Sequence, residues 1–136
     1  MAELFLEDFT VGQTFGSGRL KIDAEEIKRF AAEFDPQPFH LDEQAASNSL
    51  FRGLAASGWH TTALTMRLLV ESEFKPAGGV IGASFDDLRW PQPVRPGDDL
   101  RVQTEVLEIN SSKSRQAGEA VQIYIGNLEV LRRPQI

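Results

Sequence analysis

Between Trp59 and Val70 the run SGWHTTALTMRLLVESEF carries one charged side chain, Arg67. It opens on a Ser-Gly pair and closes at Pro76 and Gly78-Gly79, which predicts a helix over residues 57–74, roughly 25 Å long. Apolar on most sides, such a helix must be buried on most sides, so the rest of the chain has to wrap it. Residues 13–22, 80–90, 99–109 and 118–132 read as strands that can do so. In the third of these Leu100, Val102, Thr104 and Val106 alternate with Arg101, Gln103 and Glu105, and the shift to Leu107 and Ile109 predicts a bulge. Pro96-Gly97 supplies the turn before it. In the last run the apolar parity changes at Gly126-Asn127, which means either a bulged strand or a tight hairpin. With 136 residues, 41% of them hydrophobic and 25% charged, the chain suits one α+β domain, residues 1–136, with an antiparallel sheet around a central buried helix.

A second helix is written in IDAEEIKRFAAEF. Asp23 stands where an N-cap belongs, Glu26 follows three residues later, and Ile27, Phe30, Ala31 and Phe34 share one face. Pro36 and Pro38 forbid its continuation and predict a stiff loop over residues 35–39. Asp42 can cap a further short turn at EQAA.

Composition narrows function by exclusion. A net charge of −6, with Lys28-Arg29 and Arg132-Arg133 the only adjacent basic pairs, is the wrong balance for neutralising a nucleic-acid backbone. Without cysteine there is no thiolate nucleophile or disulfide, and two histidines make a poor zinc set, so no metal site is expected. The start MAELFLEDFTVG lacks the basic and apolar regions of a secretory signal, and no apolar run approaches the ~20 residues of a membrane span. A cytoplasmic protein with no membrane or nucleic-acid partner is the expectation.

Two places can carry chemistry. In DPQPFH, Asp35 and His40 sit at either end of a segment that two prolines pre-order, and a carboxylate and an imidazole either side of one water can activate it. On spacing alone the same residues are more simply read as a turn aspartate and a histidine satisfying a backbone carbonyl. At ASGWH, the head of the long helix offers unpaired N–H groups and a positive dipole end, and Gly58 lets a ligand carbonyl come close. Alternatively Ser57 is only an N-cap and Gly58 only a close packing point. His60 stands in the first turn of that helix, facing either the same pocket or a packed interior; Trp59 and Trp90 read as core or interface aromatics.

Taken in order, FAAEFDPQPFHLDEQAA, FRGLAASGWHTTALTMRLL and LRWPQPVRPGDDLRVQTEV resemble the MaoC-like dehydratases, the family of (R)-specific enoyl-CoA hydratases with the hot-dog fold. The likeness covers roughly residues 5–110. The family's motif is an Asp followed two residues later by Asn-Pro and five later by His; Asp35, Pro38, His40 and the small Ala46 match it, whereas Phe34 and Gln37 replace the usual Gly and Asn.

The resemblance implies that Asp35 and His40 are the catalytic pair adding water to a trans-2-enoyl-CoA, or removing it from an (R)-3-hydroxyacyl-CoA. Gly58 would bind the thioester oxygen through its N–H, and Ser57, Trp59, His60, Gln37 and Phe39 would surround the substrate. It implies no cofactor, coenzyme A being part of the substrate, and a homodimer with acyl tunnels at the subunit boundary. A basic patch from Arg89, Arg95, Lys113 or Arg115 would dock the coenzyme A phosphates. A serine that supports the aspartate in some members falls near Met66, so that support is expected to be missing. After Ile109 one of the usual five strands is expected to be shortened or lost. A hot-dog thioesterase is the nearest rival, disfavoured because residues 57–70 hold no acidic side chain. A non-catalytic acyl-CoA binding module is the other.

Overall fold

The structure is a computed structural model and describes residues 3–109, 114–117 and 123–129. The first long helix, α1 (Ala24–Phe34), starts where the capping pattern places it: Asp23 Oδ1 accepts the Glu26 N–H at 2.9 Å. Ile27 and Ala31 are buried, so the 3.6-residue period carries the helix into the core. Asp23→Ala is expected to cost about 1 kcal/mol of unfolding free energy, read as a lower denaturant midpoint at unchanged slope.

Residues 35–39 do not form one loop. Pro38 occupies the first position of a short helix, α2 (Pro38–Leu41), where its missing N–H is no loss, and this helix carries His40. The expected turn at EQAA is α3 (Glu43–Ser47), capped by Asp42 through the Gln44 N–H.

The central helix α4 (Gly58–Val70) is shorter than the expected 57–74. Ser72 ends it. Its hydroxyl donates to the Leu69 carbonyl at 2.6 Å and accepts the Phe74 N–H at 3.1 Å, turning the chain so that Phe74 enters an aromatic cluster with Phe9 and Phe15. Burial is one-sided as well. His60, Thr61, Leu64, Leu68 and Leu69 face inward, while Trp59, Met66 and Val70 are 58%, 40% and 47% exposed along one stripe.

Each of the first and third expected strands is broken in two. β1 (Thr14–Gly16) pairs antiparallel with β5 (Gln103–Glu105), and β2 (Leu20–Lys21) with β4 (Asp99–Leu100). At the break the Val102 N–H donates to Ser17 Oγ at 2.7 Å, so a hydroxyl takes a place in the ladder and the backbone loops out. The second sheet runs β3 (Ile81–Arg89), β7 (Ile123–Glu129), β6 (Ser114–Ala117), all antiparallel. β5 lies beside β6, which gives the order β1/β2, β4/β5, β6, β7, β3 around α4.

The C-terminal strand expected to be shortened or lost is present as the four-residue β6, and of the two alternatives at Gly126-Asn127 the single long strand holds, β7 running straight through without a hairpin. The extra residues lie on the opposite strand, where β3 slips register by one between Gly82 and Ser84 and again between Phe85 and Asp87. The expected bulge at Leu107 falls beyond the end of β5.

Ile22, Ile27, Ala46, Leu54, Leu64, Leu68 and Val94 form one core cluster, tying α1, α3 and α4 to the strands. Phe9, Phe15, Leu69, Phe74 and Val106 form the other. The site stands over the first.

Candidate active site

Asp35 ends α1 as its C-cap residue, its N–H bonded to the Ala31 carbonyl at 2.8 Å. Pro36 turns the chain there and α2 then brings His40 back toward the carboxylate. His40 Nε2 stands 3.3 Å from Asp35 Oδ2, with the two side chains 5% and 18% exposed. His40 Nδ1 is 2.6 Å from the Ala55 carbonyl oxygen. A carbonyl only accepts, so Nδ1 carries the hydrogen and Nε2 is the nitrogen that exchanges a proton.

Both carboxylate oxygens of Asp35 are held. Gln37 Nε2 donates to Oδ1 at 2.6 Å and Ser57 Oγ donates to Oδ2 at 2.7 Å. Desolvation opposes the charged form, but the bonds from Ser57 and Gln37 and the charge of a protonated His40 outweigh it, and the Asp35 pKa lies below the ordinary 3.8. With the folded value depressed, Asp35 contributes stability above the unfolded pKa that is lost as pH falls through the folded one, in a window below 3.8.

The hydroxyl support expected to be missing at Met66 therefore comes from Ser57. This fully buried residue also accepts the Trp59 N–H at 3.2 Å and so caps α4. Ser57→Ala removes the strongest of the three influences that lower the Asp35 pKa, so the acidic limb of a kcat/KM profile is expected to move to higher pH. An unshifted limb would show that Ser57 serves only as a cap.

A cavity of 440 Å³ opens beside the pair. Gln37, Phe39, His40, Gly58 and Thr61 line one side, Phe51 and Ala56 another, and the segment Trp90 to Val94 the third. Gly58 contributes the head of α4, and its N–H makes no hydrogen bond within the described residues. The close packing read at Gly58 is against a partner the sequence did not disclose: a Cβ there would lie 2.6–2.8 Å from three carbons of the Trp90 indole. A wider, more open cleft of 560 Å³, at Gly16 to Gly18 and Glu71 to Lys75, contains no imidazole.

Of the residues expected at the site, Asp35, His40, Gly58, Gln37, Phe39 and Ser57 come together. Trp59 lies outside the cavity with its ring edge-on to Trp90 at 5.3 Å. His60 also lies outside it, stacked on Phe30 at 4.5 Å with its buried Nδ1 unpartnered. Burial and the charge of Arg29 lower the His60 pKa, so this ring is neutral at neutral pH.

Of the basic residues suggested for phosphate docking, two are engaged elsewhere. Arg89 is bound to Asp87 and Arg95 is turned onto backbone carbonyls; Lys113 lies outside the described residues, and Arg115 is described in its backbone alone. Phe51, Thr61, Trp90 and the proline-flanked 91–94 segment were not anticipated as cavity walls. The run RWPQPVRPG was the available signal, since prolines fix a rigid course beside a bulky aromatic.

A helix wrapped by this strand order, with a carboxylate and an imidazole beside its N-terminus, defines a hot-dog domain of the hydratase and dehydratase class. The chain belongs to the MaoC-like domain family, whose model matches residues 8–127. It is similar to a MaoC-like dehydratase from Rhodospirillum rubrum, with 51% identity and a TM-score of 0.89 over 97% of this chain and 99% of that one. It is also similar to the R-hydratase PhaJ1 from Pseudomonas aeruginosa, with 26% identity and a TM-score of 0.78 over 98% and 96% of the two chains. An uncharacterized protein of Bacillus subtilis, YdeM, is 35% identical over 93% of this chain and 96% of its own length.

Proposed function

We propose that the protein is an (R)-specific enoyl-CoA hydratase, acting in reverse as a 3-hydroxyacyl-CoA dehydratase. The observation that carries this is the 3.3 Å pairing of His40 Nε2 with an Asp35 carboxylate held in its ionised form, beside a cavity that also contains the free Gly58 N–H. Family membership and likeness to an R-hydratase support it.

The reaction can be built from those positions. Water bound from the cavity by Asp35 and His40 together gives up a proton to the pair as its oxygen bonds the β-carbon. The π electrons of the double bond move toward the thioester oxygen, where the Gly58 N–H and the head of α4 meet the developing charge. The pair returns the proton to the α-carbon, which restores both groups. No further cofactor is called for, because coenzyme A enters as part of the substrate. α4 presents no carboxylate along its length, which disfavours thioester hydrolysis.

A homodimer is part of the proposal. The exposed stripe of Trp59, Met66 and Val70 on α4, with Phe85 exposed on the terminal strand β3, is an apolar surface suited to a second copy.

Loss of enoyl absorbance on adding the protein to crotonyl-CoA and to a longer trans-2-enoyl-CoA tests the reaction. Turnover is expected with at least one of them. Binding of the thioester by folded protein without turnover would replace the hydratase by an acyl-CoA binding module.

A further inference from the structure

Arg95 stands immediately after the cavity wall, and its guanidinium is turned onto the main chain and does not line the cavity. Its Nη1 donates to the Gly53 carbonyl at 2.7 Å and the Leu54 carbonyl at 3.2 Å, and its Nη2 donates to the Phe51 carbonyl. Its own N–H is held by Asp98 Oδ2 at 2.8 Å. Three carbonyls from one four-residue segment thus converge on one cation. That segment has no regular structure of its own, and Arg52 within it takes a left-handed φ of 56°.

Immediately beyond this segment the chain reaches the proton-transfer pair. The Ala55 carbonyl is the acceptor for His40 Nδ1, the Ala55 N–H donates to the Phe39 carbonyl at 3.3 Å, and the Ala56 N–H donates to the Val94 carbonyl at 2.9 Å. Residues 51–56 are therefore gripped from outside by Arg95 and Val94 and reach the imidazole from within. Gly53, Ala55 and Ala56 have little side chain with which to hold themselves in place.

We propose that Arg95 is a positioning residue for the proton-transfer pair. By fixing the 51–54 carbonyls it places the Ala55 carbonyl so that His40 keeps its hydrogen on Nδ1 and presents Nε2 to Asp35. Arg95 touches none of the reacting atoms and acts through the main chain. The guanidinium suits the task because its donors form a rigid planar fork and its bonds to carbonyls are charge-assisted. A lysine offers its donors from a single nitrogen and cannot span the three acceptors equally well.

The effect on rate rests on the hydratase reading; the effect on the imidazole does not. The test is therefore run on both. In protein labelled with ¹⁵N-histidine, the long-range proton–nitrogen correlations of His40 are expected to show the neutral ring with its hydrogen on Nδ1. In Arg95→Lys and Arg95→Gln a mixture of the two neutral tautomers is expected, more complete in the Gln variant. With crotonyl-CoA or a longer enoyl-CoA, kcat is expected to fall about ten- to a hundredfold, as an ångström-scale misplacement produces, while KM changes less than about twofold.

If neither variant folds, Gly53→Ala serves instead, since its Cβ would lie 3.1 Å from Arg95 Nη1 and push on the same contact. A His40 signal unchanged from wild type in folded variants would overturn the proposal. So would a rise in KM for the coenzyme A thioester with kcat intact, which would return Arg95 to phosphate docking. Were the wild type to turn nothing over, the tautomer alone would decide the positioning role, while the hydratase reading would fail by itself.

Discussion

Asp35→Asn is expected to hydrate enoyl-CoA at least about a hundredfold more slowly than the wild type while folding normally, as loss of one positioned acid–base group typically does. The amide has nearly the volume of the carboxylate, so the turn between α1 and α2 keeps its shape. What it loses is charge and proton affinity. One of its two positions must now present an NH₂ group, either to the Gln37 amide or toward Ser57 Oγ and His40 Nε2, all of which approach the wild-type carboxylate at 2.6–3.3 Å. His40→Gln provides the complementary loss. The informative comparison is the double variant, which should be hardly slower than either single one if the two groups move one proton as a unit. Rates within twofold of wild type in both single variants would remove the pair from the mechanism.

Gly58→Ala is the second large effect, and its direction is informative because helix propensity predicts the opposite. Alanine in a helix is favoured over glycine by about 1 kcal/mol, so a purely local view expects stabilisation. In the fold the new methyl would stand 2.6–2.8 Å from the Trp90 indole, too close for both to stay. Either the indole leaves and deforms the cavity wall, or the head of α4 moves and carries the Gly58 N–H away from the thioester. Both routes reduce kcat/KM, and loss of one such donor costs about a hundredfold or more. A double-mutant cycle with Trp90→Ala separates them. Steric conflict predicts that Gly58→Ala is tolerated far better in the Trp90→Ala background. A penalty of equal size in both backgrounds would mean that the glycine is needed for its backbone alone.

How legible all this is in the sequence varies with the range of the interaction. The cap at Asp23, the stop at Pro36, the cap at Asp42 and the start of α4 at Ser57-Gly58 are readable because each is settled within four residues. Two prolines limit what the segment between Asp35 and His40 can do, but their pairing is readable only through the family resemblance. The helical turn that presents His40 is not: Pro38 reads as a breaker, although at the first position of a helix it is a starter. The sequence pattern overruns the end of α4 because Ser72 competes for backbone bonds without any Gly or Pro to announce it. The shortening or loss expected after Ile109 comes from counting residues. β6 is only four residues long and holds its place through pairing with β7, which no local pattern shows.

The family resemblance paired Asp35 with His40; alone, the amino-acid order determined the α+β class and the helix to be buried. Those follow from periodicity, capping and proline geometry, which act over a few residues. Only the tertiary structure decided that Ser57 rather than a residue near Met66 supports Asp35, that Gly58 packs against Trp90, and that Arg95 grips the 51–54 loop. These contacts join residues 22, 32 and about 41–44 positions apart, and a pairing at that distance exists only once packing has brought the segments together.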